Sequence, residues 1–446
     1  MFTATLMAMF CFALPAEEIA ATISSTDITL RDAMMRALAH APEMQRIQSD
    51  TDRTRAQDGR VFMVYTPRFD FRANYTRWEH KTFPDLNFGG VTVPSESAFP
   101  QLLNNYGLSA SIDIMLSDYL WKMPSLHALA KQSHRVQLAR ARAEAEKYAW
   151  LAAQTYLTTL RDASATEVTE AAAATLKQRA ERMKALQSAG EDVTEADVMR
   201  LKAEAARADA QAAQMRGQMQ SERLRLAYMI DVSPENMKLV FDVNEIAQPL
   251  IMTVEEALLA AEKERAELHM LEEQAAKQDA QIKYSFSQMF PTLSVKGQYD
   301  YSNPNLRILP IQDKFQGVWQ VQARAEWSPN DTVRANTEWN DAKIAKTGIY
   351  ADIQAIRNAI AIEVRSAFTS WEAAQRMSSA AMAQWEAAGR AFRDLERLFA
   401  AGSVPAQQLL DGELAFRQAA LARIDAAVSL HLTRLQFDKS IGRLTK

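Results

Sequence analysis

The residues of this sequence with any capacity for chemistry are six histidines, one cysteine and several short runs in which polar and apolar side chains alternate. The histidines are His40, His80, His127, His134, His269 and His431. Only His127 and His134 are near neighbours, two turns apart on one helix with no cysteine beside them, and solvated helix positions explain them better than a zinc site. Cys11 is the single cysteine, which rules out a disulfide framework. No phosphate-binding loop, dinucleotide glycine fingerprint or zinc signature occurs. The sequence therefore offers nothing on which to rest an enzyme, a metal or a cofactor. The alternating runs are another matter, because opposite character on the two faces of a strand suits a wall that is greasy on one side and wet on the other.

Four such runs occur. In 68–75, Phe69, Phe71, Ala73 and Tyr75 share one face, and Arg68, Asp70, Arg72 and Asn74 share the other. In 106–114, Tyr106, Leu108, Ala110, Ile112 and Ile114 oppose Gly107, Ser109, Ser111 and Asp113. Further on, Leu293, Val295, Tyr299 and Tyr301 oppose Ser294, Lys296, Gln298 and Asp300, while Trp319, Val321, Ala323 and Ala325 oppose Gln320, Gln322, Arg324 and Glu326. These read as two hairpins, with a longer loop around Lys81–Pro100 and a shorter one around Asn303–Asp313. An alternating strand can also lie half-buried on a soluble core. Here the flanking segments are Ala-rich and polar and offer little to cover four apolar faces. Each run has the length of a tilted membrane strand, about 9–11 residues, with Tyr and Trp near its ends. A barrel is the better reading, its lumen lined by the polar set. Four strands cannot enclose a lumen, since even small barrels need about eight. Subunits must pool their strands.

The elements that position these runs come in duplicate. Ile28–Ala33 and Met252–Ala257 each carry a capping box, Thr29 with Asp32 and Thr253 with Glu256, in which hydroxyl and carboxylate satisfy backbone donors reciprocally. Each box opens an amphipathic helical stretch ending before a proline, Pro67 or Pro291. After each hairpin comes a very long helical stretch, about 124–188 and 331–400, rich in Ala, Glu, Arg, Gln, Lys and Leu. Some 65 residues at 1.5 Å rise reach about 100 Å, beyond any globular core. Each then turns, at Ala189–Thr194 and at Ala401–Pro405. Gly190 and Gly402 suit the left-handed position after a helix, Thr194 or Ser403 can cap the helix that follows, and Pro405 fits its first turn. Return helices run to about Met229 and Ile441. The expected division is 1–21 as a signal peptide, 22–231 as a first repeat, 232–251 as a connecting segment with Pro234 and Pro249, and 252–446 as a second repeat.

Bulk composition agrees. With 51 Lys+Arg against 55 Asp+Glu, the net charge of −4 gives no electrostatic case for nucleic acid. Only 13 Gly and 14 Pro among 446 residues favour long uninterrupted elements. Beyond the N-terminus no segment approaches the roughly 20 apolar residues of a transmembrane helix, so any membrane crossing must be a β-barrel. Met1–Ala16 is apolar and followed by Glu17-Glu18, like the later part of a secretory signal peptide. It lacks a basic opening, so the true start is expected upstream. Phe10 stands where a lipidation signal needs a small residue, which makes Cys11 a signal-peptide cysteine rather than an acylation site.

Helix, strand, strand, long helix, turn, helix, given twice, resembles the TolC-like outer-membrane efflux family over nearly the whole chain. Thr29-Leu-Arg-Asp-Ala33 continuing to Ala37-Leu-Ala-His-Ala-Pro-Glu-Met44 resembles that family's opening helix. Gly190 with Asp197-Val-Met-Arg200 resembles its first tip turn, and Gly402 through Leu409-Leu410-Asp411 its second. The resemblance implies a homotrimer whose twelve pooled strands form a barrel in outer-membrane lipid. Its helices form a periplasmic tunnel and the segment after Asp231 an equatorial belt. A periplasmic adaptor and an inner-membrane transporter would be the partners, in tripartite efflux or type I secretion. Carboxylates on the helix after the second turn narrow the entrance in that family. The matching positions here are Gln408 and Asp411, three apart on one helix face. Gln408 is no carboxylate, so a single ring of three Asp411 side chains is implied, favouring cations; read from the residues alone, Asp411 is equally a solvated helix position. Asp197 is a lesser gate candidate, because Thr194-Glu-Ala-Asp197 already reads as a capping box. Where relatives often carry a Gly-rich turn after the second strand, this chain has Leu116-Ser-Asp-Tyr and Trp327-Ser-Pro-Asn, whose Ser117, Asp118, Ser328 and Asn330 can still cap or turn.

Two other classes compete. A periplasmic adaptor also joins a helical hairpin to β-structure, but usually has one hairpin between Gly-rich lipoyl-like halves. A coiled-coil scaffold predicts sustained heptads and leaves the alternating strands unexplained.

Overall fold

A computed structural model describes residues 27–64, 66–94, 101–189, 194–240, 252–309, 311–401 and 403–445. The signal-peptide reading, Cys11, Gly190, Pro249, Gly402 and part of the 81–100 loop lie outside the described residues. Along the chain run β1 (Asp27–Ile28), α1 (Leu30–His40), α2 (Pro42–Val64), β2 (Arg68–Arg77), β3 (Leu86–Phe88), β4 (Val91–Val93) and β5 (Asn104–Met115). A π-helical turn, Asp118–Lys122, leads into α3 (Met123–Ser188), followed by α4 (Glu195–Ile230) and β6 (Lys238–Leu239). The second half has α5 (Val254–Glu264), α6 (Ala266–Ser287), β7 (Thr292–Asn303), β8 (Gln316–Glu326), α7 (Pro329–Ala400) and α8 (Ala406–Ser440). Among the described residues no helix is long and apolar enough to cross a membrane.

The chain divides into two compact units. One, residues 51–137 and 271–352, holds a four-stranded antiparallel sheet of order β2-β5-β7-β8 and the helical segments flanking it. Both expected hairpins are present, and β5–β7 pairing joins them into one sheet. The long loop between β2 and β5 is not featureless: β3 and β4 form a small hairpin across Gly89 and Gly90, whose φ values of 55° and 96° only glycine adopts freely. His127 and His134 both point at α2. His127 Nδ1 lies 3.2 Å from an Asp58 carboxylate oxygen and His134 Nδ1 3.1 Å from the Thr54 hydroxyl. They tie two helices together rather than lining up as ligands.

The described residues of the other unit, which fall within 27–50, 138–270 and 353–445, are mostly helical, with β1 and β6 the only strands among them. Its largest core gathers Ile28, Ala33, Ala152, Tyr156, Leu157, Leu226 and Ile230. The Tyr156 hydroxyl donates to the Ile28 carbonyl at 2.9 Å, and burial pushes its pKa up to about 12. The Ala-rich composition acts where α3 and α4 meet: Ala173, Ala180, Ala205, Ala208 and Ala212 are buried with Leu176 and Leu201, which lets the helix axes approach closely. Residues after Asp231 return to the core: β6 pairs parallel to β1, and Arg223 donates to the carbonyls of Pro234 and Met237.

Capping boxes at Thr29 and Thr253 are both formed. Each stretch they open, read as one helix, is instead two. Ala41 (ψ 125°) separates α1 from α2 because Pro42 disfavours helical geometry in the residue before it. Arg265 (ψ 121°) makes the matching break without a proline. Its side chain is buried, donates to the carbonyls of Lys439 and Ser440 at the end of α8, and pairs with Glu267 and Glu363. A basic group on those carbonyls also suits the negative end of the helix. Three other local expectations are corrected. Pro405, not Ser403, is the N-cap of α8, which leaves the Ser403 hydroxyl outside the helix. Ser117 makes no cap; it is buried within continuous helical backbone and reaches the Leu293 carbonyl. Thr194 does cap α4, through Asp197 N–H at 3.2 Å, but the Asp197 carboxylate returns to the hydroxyl rather than to the backbone.

The C-terminal end of α8 is held tightly. Gly442 has φ 74°, and a Cβ there would sit 2.7 Å from the Glu264 carbonyl oxygen, while Arg443 pairs with the Glu264 carboxylate at 2.8 Å. Gly442→Ala is expected to destabilise by at least ~1–3 kcal/mol, through left-handed strain plus backbone collision. Thermal unfolding of the purified protein checks this; an unchanged midpoint would show that the junction yields freely.

Candidate functional site

Two places bring sequence-predicted residues together. The first is the sheet. Its register lays the polar positions in rows: Arg68 opposite Asp113, then Lys296, then Gln322; Asp70 opposite Ser111, Gln298 and Gln320; Arg72 opposite Ser109, then Asp300. Asn74 sits across from Gly107, Arg324 across from Ser294, and Glu326 across from Thr292. All the predicted polar residues therefore share one face. Arg68, Arg72, Lys296 and Arg324 balance Asp70, Asp113, Asp300 and Glu326, so that face is wet but formally neutral. Local bonds hold it: Arg68 to Asp70 at 3.0 Å, Gln298 Nε2 donating to Asp300 at 2.7 Å, and Arg307 from the β7–β8 loop reaching Asp300 at 2.9 Å.

The other face is apolar and uncovered. Phe71, Ala110, Tyr299 and Trp319 form one row, and Ala73, Leu108, Tyr301 and Gly317 the next. Phe71 is 81% and Trp319 74% exposed. Tyr75, Tyr106, Tyr301 and Phe315 cluster toward the hairpin ends, with ring centroids 5.0–6.2 Å apart. Burying one such ring is worth about 1.5–3 kcal/mol, so this surface demands an apolar medium or partner. β2 and β8 are the sheet's outer strands, their free edges unpaired among the described residues.

The second place is the start of α8. Asp411 and Gln408 are both exposed. The Asp411 carboxylate accepts from Gln407 Nε2 at 2.9 Å, and Gln407 Oε1 accepts from Arg200 of α4 at 3.0 Å. Asp197 is occupied at the N-cap of α4, where it bonds Thr194. The residue that sequence reading missed is Glu413, two positions on and pointing the other way. It is buried and pairs with Arg179 of α3, which also binds Glu396 of α7 at 2.7 Å and stacks 5.6 Å over Phe392. One guanidinium thus fastens three helices. Its partners lie 217 and 234 residues away in sequence, which no local pattern reveals.

Burial pushes the Glu413 carboxyl above its ordinary range, opposed by Arg179 and Arg417. A raised folded-state pKa contributes stability below the unfolded value and loses it as pH rises through the folded one. Arg179→Met removes the main opposing charge and strands a buried carboxylate, at a cost of about 3–5 kcal/mol at alkaline pH and less near pH 5. Unfolding midpoints at the two pH values check this, and adding Glu413→Leu is expected to recover most of the loss. A deficit independent of pH would mean that Glu413 is not the group left uncompensated.

No protein-family model and no curated protein sequence matches the chain. Solved structures do. The CmeC outer membrane channel of Campylobacter jejuni superposes with TM-score 0.76 at 15% identity, over 93% of this chain and 86% of that one. A Pseudomonas aeruginosa membrane protein gives 0.75 at 16% identity, covering 93% of each. The open state of the Neisseria gonorrhoeae MtrE outer membrane channel gives 0.69 at 17%, over 94% and 89%. At such low identity it is architecture that matches: the duplicated helix–sheet–long-helix order and the open four-stranded sheet, and on these grounds the fold of this chain is that of the TolC-like outer-membrane channels.

Proposed function

We propose that the chain is one subunit of a trimeric outer-membrane export channel, in which three sheets join edge to edge into a twelve-stranded barrel. The observation that carries the reading is the sheet: one predominantly apolar face, one polar face interrupted only by Met115 and Val318, and two free edges. In hydrocarbon every backbone donor and acceptor must be paired, so a sheet with open edges must close on others. Four antiparallel strands leave β2 and β8 running in opposite directions. β8 of one copy therefore meets β2 of the next antiparallel, and a rotational ring closes without irregularity. A helical stripe adds support: Val333, Ile344 and Ile362 on α7 are each 68% exposed. At 100° per residue they fall within about 20° of one another, an apolar line suited to a neighbouring copy.

On this reading the faces have separate roles. Arg68, Asp70, Arg72, Asn74, Ser109, Ser111, Asp113 and their row partners line the lumen, and the aromatic face meets lipid. Charge balance makes the barrel weakly selective, leaving discrimination to the three Asp411 carboxylates. The chain conducts and gates; energy comes from an inner-membrane transporter reached through a periplasmic adaptor, in tripartite efflux or type I secretion.

Reconstitution in a planar bilayer tests this: discrete, stable conductance steps from a detergent-purified trimer are expected. A stable monomer in plain buffer that never conducts would end the channel reading. Phe71→Arg places a cation on the lipid face, at about 2–4 kcal/mol per copy near the midplane, and is expected to reduce membrane-assembled protein. Ser109→Arg on the opposite face should assemble normally and shift selectivity toward anions. Equal effects of the two would refute the assignment of faces. Separately, Asp411→Asn is expected to raise or alter conductance and weaken cation preference with trimers intact; unchanged currents would remove Asp411 from the gate.

A further inference from the structure

We propose that a groove at the helix-side end of the sheet binds an anionic phospholipid, its phosphate held by Lys283 and the indole N–H of Trp121. The proposal rests on the channel reading, since it needs the apolar sheet face to lie in lipid. The groove has a volume of about 540 Å³ and is lined chiefly by Trp121, Ile282, Lys283, Phe286, Phe290 and Trp339. It sits where helix gives way to strand: Phe290 and Pro291 lead directly into β7, and Trp121 belongs to the π-helical turn that follows β5. Its aromatic wall is continuous, with ring centroids 5.5 Å apart for Trp121–Phe290, 5.4 Å for Phe286–Phe290 and 6.1 Å for Phe286–Trp339. Phe286 and Phe290 are 46% and 43% exposed, so the wall is uncovered.

The polar groups around this wall select an anion. Asp118 and Asp279, the nearby carboxylates that pair with lysines, are taken by Lys122 and Lys346. Lys283 and Lys343 remain without a carboxylate partner among the described residues, and the Lys343 ammonium rests 3.1 Å over the Trp339 ring. Ser125 and Ser287 donate to the carbonyls of Trp121 and Tyr284, so neither hydroxyl is free to serve a ligand as donor. Trp121 Nε1 is buried with no acceptor. A buried indole N–H lacking an acceptor and an unpaired ammonium in the lining of the same groove call for an oxyanion. Aromatic walls at the end of a sheet with an apolar face call for hydrocarbon. A phospholipid supplies both in one molecule: acyl chains along the strands, glycerol against Phe286 and Phe290, phosphate at Trp121 and Lys283.

The test uses the full-length trimer purified in detergent and offered equimolar phosphatidylglycerol and phosphatidylcholine, with bound lipid read by native mass spectrometry and conductance measured on the same preparation. Phosphatidylglycerol is expected to be retained in preference by about fivefold, the factor one lysine contributes near an anionic surface. Lys283→Gln and Lys283→Glu should abolish the preference while leaving trimers and conductance as they were, and Trp121→Phe, which keeps an aromatic ring but loses the N–H and part of the indole's area, should reduce it. A conducting trimer that retains both lipids equally, or whose preference survives Lys283→Glu, overturns the lipid site alone. Loss of trimers in the Lys283 variants assigns the groove to a neighbouring copy and also overturns it. A chain that neither trimerises nor conducts removes the channel reading, and the lipid site with it.

Discussion

Everything in this molecule answers to one mismatch: a sheet only four strands wide carries a predominantly apolar face that no described residue covers. In water that face costs free energy in proportion to its area, and in hydrocarbon the unpaired edges cost more. Neither solvent suits the isolated sheet. The two penalties vanish together only if the apolar face meets an apolar medium while the edges find strands to pair with. The same alternation that makes the sheet unhappy alone specifies its arrangement in company, because a slip of one residue at any pairing would send every charge to the greasy side.

The helical unit solves a different problem. Alanine side chains let helices lie close but bury little area each, so packing alone discriminates weakly between neighbouring registers. A few charged contacts among small residues do better. Arg179 reaches Glu413 and Glu396 on two other helices, and Arg265 grips the last carbonyls of α8. Such contacts add little net stability, since desolvation offsets attraction, but a misplaced register would leave a charge buried without its partner. They act as pins.

What could be read from the sequence follows from this division. Period-two alternation in 68–75, 106–114 and the later pair is a local signal, and the faces it defined are the faces the register produces. The capping boxes at Thr29 and Thr253 are likewise written within four residues. Pairing of β5 with β7 was not legible, because 180 residues lie between Ile114 and Val295 and no turn joins them. The small hairpin at 86–93 was missed although Gly89-Gly90 between alternating residues announces it. Asp411 was reached through a resemblance at the second tip turn, whereas Glu413 is one more charge on a charged helix, and the partner that gives it a role, Arg179, lies 234 residues away. Local chemistry is written in the chain; partners chosen across hundreds of residues are not.

The paired bends at Ala41 and Arg265 carry a consequence of their own. They occupy equivalent places in the two halves, each after an eleven-residue helix, yet one is enforced by a pyrrolidine ring and the other by a network of ions. A ring closure is part of the covalent chain, while the Arg265 network, buried and so little screened by salt, exists only as long as its side-chain partners stay in place. Duplicated halves that look alike at rest therefore differ in temperament: the first corner is fixed by the backbone itself, and the second is only as firm as the contacts of one guanidinium. Symmetry of form here conceals an asymmetry of compliance.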